Sequence, residues 1–157
     1  MKLAELRQKI DRIDRDIVRL LNERTKHALQ IGRIKQADDI PVFTPGRERE
    51  VVERLHDLNR GPLPDASLKH IYREIMSAAR AIEGGLAIAC TASSLAAARS
   101  KFGDSVRYVR CPSPVAAKRA VGNGAQLAVL PSQSKNGNAI DEFENDGKKF
   151  AVLAVKK

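Results

Sequence analysis

The stretch LAELRQKIDRIDRDIVRLLNERTKHALQIGRIKQ, residues 3–36, decides the architecture. Its apolar residues fall at Leu3, Leu6, Ile10, Ile13, Ile17 and Leu20, then at Ile31 and Ile34. Alternating steps of three and four are the seam of a long packed helix. No glycine or proline interrupts the pattern before Gly32. At 1.5 Å per residue the helix is a rod roughly 50 Å long. A rod of that length exceeds a small domain, so it must pack along other helices, of its own chain or of a second one. The two seam positions after Leu20 hold Arg24 and His27 instead of apolar residues. A cation on a buried row is costly unless it meets an anion or stays wet. Lys35 follows Arg24 by about three turns and points the same way. These cations therefore read as awaiting an anionic ligand, while His27 is given no role beyond a packed or partly wet ring.

The remainder divides by period. Residues 38–46, DDIPVFTPG, form a loop, and a second helix begins at Pro45 or Gly46, with Thr44 as its cap. Val51, Val52, Leu55 and Leu58 give that helix one apolar face. GPLP at 61–64 stops it, and a third helix runs from Asp65 or Ser67 to Glu83, with Leu68, Ile71, Tyr72, Ile75, Met76 and Ala79 at helical spacing. Gly84-Gly85 reads as a domain boundary. Short strands are then expected at 85–90, 106–111, 125–131 and 149–155, with helices after the first two and a helical turn at 141–145. The expected class is α + α/β: a three-helix domain over 1–83, followed by a small βαβαβ lobe over 86–157 with mostly parallel strands.

Composition narrows the function. The chain has 157 residues, no Trp, and a formal charge of +9, so its cores are aliphatic. Residues 1–83 carry a net of only +3, with both signs mixed along the helices, which describes a solvated face better than a nucleic-acid stripe. No aromatic stacking platform accompanies the basic charge, so nucleic acid is not an expected partner. No apolar run is long enough to span a bilayer, and the charged start MKLAELRQKIDR is unlike a signal peptide; the expected location is the cytoplasm. Cys90 and Cys111 lack metal-ligand spacing and read as reduced thiols in or near strands. Neither metal nor cofactor is expected.

A small set of residues carries the candidate chemistry. Arg24 and Lys35 share one face. Arg47 and Glu48 open the second helix, where the amino terminus favours anions. Glu83 ends the third helix on a row of small and apolar residues, as an ion-pair partner or a protonated donor. Arg7 lies 17 residues before Arg24, about 25 Å along the rod, so only an antiparallel partner chain brings it to the same ligand. Nucleophile–base pairs and glycine-rich phosphate loops are absent from the sequence. The site works by electrostatics and positioning.

These residues resemble the all-helical class of chorismate mutases. The resemblance rests on LR (6–7), IDRID (10–14), LLNER (20–24), IGRIK (31–35), PVFTPGRER (41–49) and IYREIMSAARAIE (71–83). It implies an intertwined homodimer and a Claisen rearrangement of chorismate to prephenate. It further implies that Arg24 and the other chain's Arg7 clamp two carboxylates, and that Lys35 donates to the ether oxygen and a carboxylate. Glu48 takes the ring hydroxyl, and Arg47 supports the carboxylate side or holds Glu48. Glu83 contacts the ether oxygen in protonated form, so activity is expected to decline as pH rises. Thr44 stands where many members have Asp, and Ala79 where some have Ser; both line the same site. The second half, through SVRYVRCPSPVAA (105–117) and AVGNGAQLAVLP (120–131), resembles the opening lobe of prephenate dehydratase. CTASS (90–94) replaces that family's glycine-rich turn, and a second lobe is lacking, so no dehydratase activity is expected. The lobe is left as a remnant, a dimer support, a small-ligand sensor or a docking surface for a pathway enzyme. Isochorismate-pyruvate lyase and a non-enzymatic nucleic-acid or partner-binding module are the competing readings.

Overall fold

A computed structural model describes residues 2–135 and 139–155. Three helices come first: α1 (Leu3–Ala37), α2 (Pro45–Leu58) and α3 (Asp65–Glu83). The 35-residue α1 is unbroken, as the seam predicts. Thr44 occupies the cap position of α2 without a side-chain cap bond, and Pro45 opens the helix.

The seam of α1 is uncovered within the chain. Leu3, Leu6, Ile10, Ile13, Ile17 and Leu20 are all exposed, Leu3 at 63 %. The buried residues of α1 are Ala28 and Gly32, both in its second half. There α1 crosses α3 at very short range: a β-carbon on Gly32 would lie 2.5 Å from the Glu83 carbonyl oxygen. This close approach brings Lys35 and Glu83 together.

The second half is β1 (Ala87–Cys90), α4 (Leu95–Phe102), β2 (Arg107–Arg110), α5 (Pro114–Ala120), β3 (Leu127–Pro131), a 3-10 turn (Ser132–Ser134), β4 (Ala139–Asn145) and β5 (Lys148–Ala154). The strand order is β2-β1-β3-β5-β4. β1 pairs in parallel with β2 and β3, as the βαβαβ reading expects. From β1 the chain crosses one way to β2, then back past β1 to β3. Right-handed crossovers in opposite directions place α4 and α5 on opposite faces. The α4 face is the bulkier, with Ile88, Phe102, Val129, Phe150 and Val152 buried. The α5 face is alanine-rich.

The sheet is mixed rather than mostly parallel, because β5 runs antiparallel to both β3 and β4. Residues 141–145 belong to strand β4, not to a helical turn. The polar run DEFE conceals a period of two, in which Asp141 and Phe143 are half-buried and Glu142 and Glu144 exposed. Asp141 is held by Lys101 at 2.8 Å and Arg49 at 3.6 Å, so a carboxylate is tolerated on the inward face. Asp146-Gly147, both at positive φ, make the two-residue turn to β5; such a dipeptide between alternating segments is a hairpin signal.

The polypeptide passes from helical to α/β structure at Gly84-Gly85, yet packing crosses that point. Phe43, from the α1–α2 loop, is 4 % exposed within the bulkier core and meets the Phe102 ring edge-on at 5.0 Å. Ser77 of α3 accepts from the Ser105 N–H, and Glu74 from the Asp104 N–H, each at 3.0 Å.

The crossing at Gly32 makes a direct prediction. Gly32→Ala must push α1 from α3 and is expected to destabilise by about 1–3 kcal/mol in urea unfolding, the usual cost of overpacking. Gly46→Ala, with nothing within 4 Å of the added carbon, is expected to be neutral or slightly stabilising.

Candidate active site

A cleft of about 470 Å³ opens between the second half of α1, the start of α2 and the end of α3. Arg24, Lys35, Thr44, Arg47, Glu48, Ala79 and Glu83 all line it. The structure thus gathers seven of the eight residues singled out from sequence. Arg7 does not line it; it is exposed near the far end of α1.

Each side chain is placed by its helix. Arg24, Ala28, Ile31 and Lys35 follow one face of α1 at helical spacing. The small, buried Ala28 lies between the two cations along this face. Lys35 donates to the Val42 carbonyl oxygen at 2.9 Å and lies 3.6 Å from Glu83. An ammonium has three donors and only the Val42 carbonyl is within hydrogen-bond reach, so two are left for a ligand. Arg24 is half-buried and makes no ion pair among the described residues. His27 lies at the same wall, near Gln30 at 3.3 Å.

Arg47 does not hold Glu48. It faces solvent and pairs with Glu50 at 2.9 Å, one turn along α2. Glu48 is held by Arg80, a residue the sequence reading passed over. Arg80 is 6 % exposed. Its guanidinium also donates to the Phe102 carbonyl oxygen at 3.4 Å and lies against the rings of Phe43 and Phe102, 5.8 and 5.6 Å from their centroids. Desolvation lowers its pKa to about 10, opposed by the nearby Glu83 and Tyr108. The charge is kept because an anion, a carbonyl and two aromatic faces replace the lost water.

Arg80 was hard to find from sequence because the apolar row of α3 draws attention to another face. Ser77 and Arg80, three residues apart, are buried against the second lobe, whereas Ile71 on the expected row is exposed. Only a polar pair at helical spacing among small residues hinted at this.

The cleft holds four cations, Arg24, Lys35, Arg47 and Arg80, against the carboxylates Glu48 and Glu83. The formal excess of two positive charges suits a small dianion. The residues framing this cleft fall within a match to the family model described as chorismate mutase type II, which covers residues 6–84.

The chain belongs to the chorismate mutase type II family.

A chorismate mutase from Thermus thermophilus superimposes on the helical part with a TM-score of 0.51 and 35 % identity, covering 53 % of this chain and 94 % of that one. Similarity also extends beyond the family segment. The bifunctional chorismate mutase/prephenate dehydratase of Neisseria gonorrhoeae is 42 % identical over 154 residues, which is 95 % of this chain and 40 % of that protein. The enzyme of the same description from Aquifex aeolicus is 43 % identical over 118 residues, 70 % of this chain and 33 % of that one. The chain therefore spans two fifths or less of the length of these bifunctional relatives.

The Arg80–Glu48 pair allows a stability test. Arg80→Met leaves a carboxylate without its buried partner and is expected to cost about 3–5 kcal/mol in urea unfolding. Adding Glu48→Gln removes the stranded charge, so the double variant is expected to be more stable than Arg80→Met alone.

Proposed function

We propose that this chain is a cytoplasmic chorismate mutase that converts chorismate to prephenate in a site completed by a second copy. The observation that carries the reading is the unpaired Arg24 and, three turns further along the same face, Lys35, in a cleft with two surplus positive charges. Membership in the family supplies the substrate, a dianion. Both cysteines are free, which suits a reducing compartment.

The reaction breaks an ether C–O bond while a C–C bond forms within one molecule, and no group leaves. The protein's task is to hold the compact conformer and stabilise the charge growing on the ether oxygen. Arg24 grips one carboxylate through its planar fork. Lys35, its Nζ already oriented by the Val42 carbonyl and Glu83, directs its two remaining donors to the ether oxygen and a carboxylate. Glu48 accepts from the ring hydroxyl. Thr44 and Ala79 shape the wall, and Arg47 at the rim attracts the incoming anion. Glu83, at the end of α3, stands with Lys35 on the ether-oxygen side of the cleft.

A second copy is needed for two reasons. The exposed row Leu3–Leu20 is an apolar stripe suited to covering by an identical helix. An antiparallel arrangement of that stripe carries Arg7 of one copy to the other copy's cleft, where it clamps the second carboxylate.

A chorismate-consumption assay tests the reading. Prephenate is the expected product, and Arg24→Ala is expected to lower kcat/KM by about 10²–10³-fold. Release of pyruvate would favour isochorismate-pyruvate lyase chemistry instead, and absence of turnover would end the enzymatic reading. Phenylpyruvate formed at neutral pH would assign dehydratase chemistry to the second lobe. Sharing of sites has its own test: Arg7→Ala and Lys35→Ala, each inactive, are refolded together. Random dimers then regain about a quarter of wild-type activity, because each mixed dimer has one intact site; no recovery would show that the copies do not share sites.

A further inference from the structure

We infer that the second lobe is part of the mutase site's scaffold, and that Arg80 is a positioning residue through which the lobe fixes Glu48. The inference rests on the mutase reading above and adds a role for residues outside the family segment.

Arg80 borders the cleft, but both terminal nitrogens of its guanidinium already have partners. Glu48 takes one edge, the Phe102 carbonyl takes another donor, and the Phe43 and Phe102 rings flank it. Phe102 is the last residue of α4 and is fully buried in the lobe. Gly103 follows with φ +77°, and a β-carbon there would lie 2.6 Å from the Ser77 β-carbon. The α4 terminus thus seats against α3 at the turn that carries Arg80. The Tyr108 hydroxyl donates to the Gly103 carbonyl at 2.6 Å and ties this terminus to β2.

The need for such a clamp follows from charge. Glu48 stands in the first turn of α2, in the same cleft as Arg24 and Lys35. An unrestrained carboxylate there would fold onto either cation and occupy the donors needed for the substrate's own carboxylates. Arg80 draws Glu48 the other way, towards the lobe. The ligand cations stay open, and one Glu48 oxygen is left to accept from a hydroxyl. Loss of Arg80 should therefore raise KM, through competition by Glu48, as well as lower kcat.

The test measures steady-state kinetics with chorismate on the full chain, with folding checked by circular dichroism. Arg80→Met is expected to lower kcat/KM by about 100-fold, the order seen when a catalytic group is misplaced by 1 Å. In a Glu48→Gln background the same substitution is expected to change it by less than about twofold, since the group it positions is gone. Phe102→Leu keeps Arg80 but removes an aromatic face, and is expected to lower kcat/KM about tenfold with KM raised. Phe150→Leu opens a comparable gap in the same lobe core without touching Arg80, and is expected to leave kinetics within about twofold of wild type. Equal losses from Arg80→Met in both backgrounds, or equal effects of Phe102→Leu and Phe150→Leu, would overturn the proposal while leaving the mutase reading intact. A wild type without turnover overturns both.

Discussion

Gly32 and the end of α3 approach so closely that backbone meets backbone, and the rest of the cleft takes its dimensions from that contact. A helix crossing without an intervening side chain leaves no room for a larger residue at that point. Lys35 then lies one turn beyond the crossing and finds Glu83 and the Val42 carbonyl in reach. Ala28, one turn before it, leaves the space that Arg24 overlooks. Had residue 32 carried a methyl group, both cations would stand further from α3. The site's electrostatics therefore depend on a residue that touches no ligand.

Burial of charge takes a different form on each side of the cleft. On the α1 side, Arg24 and Lys35 are partly exposed to water. On the lobe side, Arg80 is nearly dry, and its charge is tolerable because Glu48, a carbonyl and two aromatic faces surround it. Neither partner could be kept alone without the penalty of an unmatched buried ion. Such a pair is a poor source of stability but a good source of geometry, since both groups have few positions they can occupy.

Much of this was legible in the residues. The three-four spacing of α1 gave a continuous helix, and the breach of that spacing at Arg24 marked the cleft. Two glycines marked the end of α3, and apolar runs marked β1 and β3, which are buried on both faces. What stayed hidden depends on partners distant in the chain. Asp141 is acceptable inside the β4 edge because Lys101 and Arg49 come to it, and no local pattern announces them. Arg80 belongs to a polar row that only the second lobe covers. The pairing of Arg47 with Glu50 rather than Glu48 follows from a helical turn and a competing, better-buried arginine.

The segment shared with the family ends at residue 84, but the packing that protects it does not. Phe43 is buried by the lobe, and so is the aromatic support of Arg80. Trimming the gene after Gly84 would follow the boundary of similarity and cut through a common core. An apolar ring would be left in water and a guanidinium would lose part of its shelter. Modularity in sequence and modularity in folding are different properties, and in this protein their borders fall in different places.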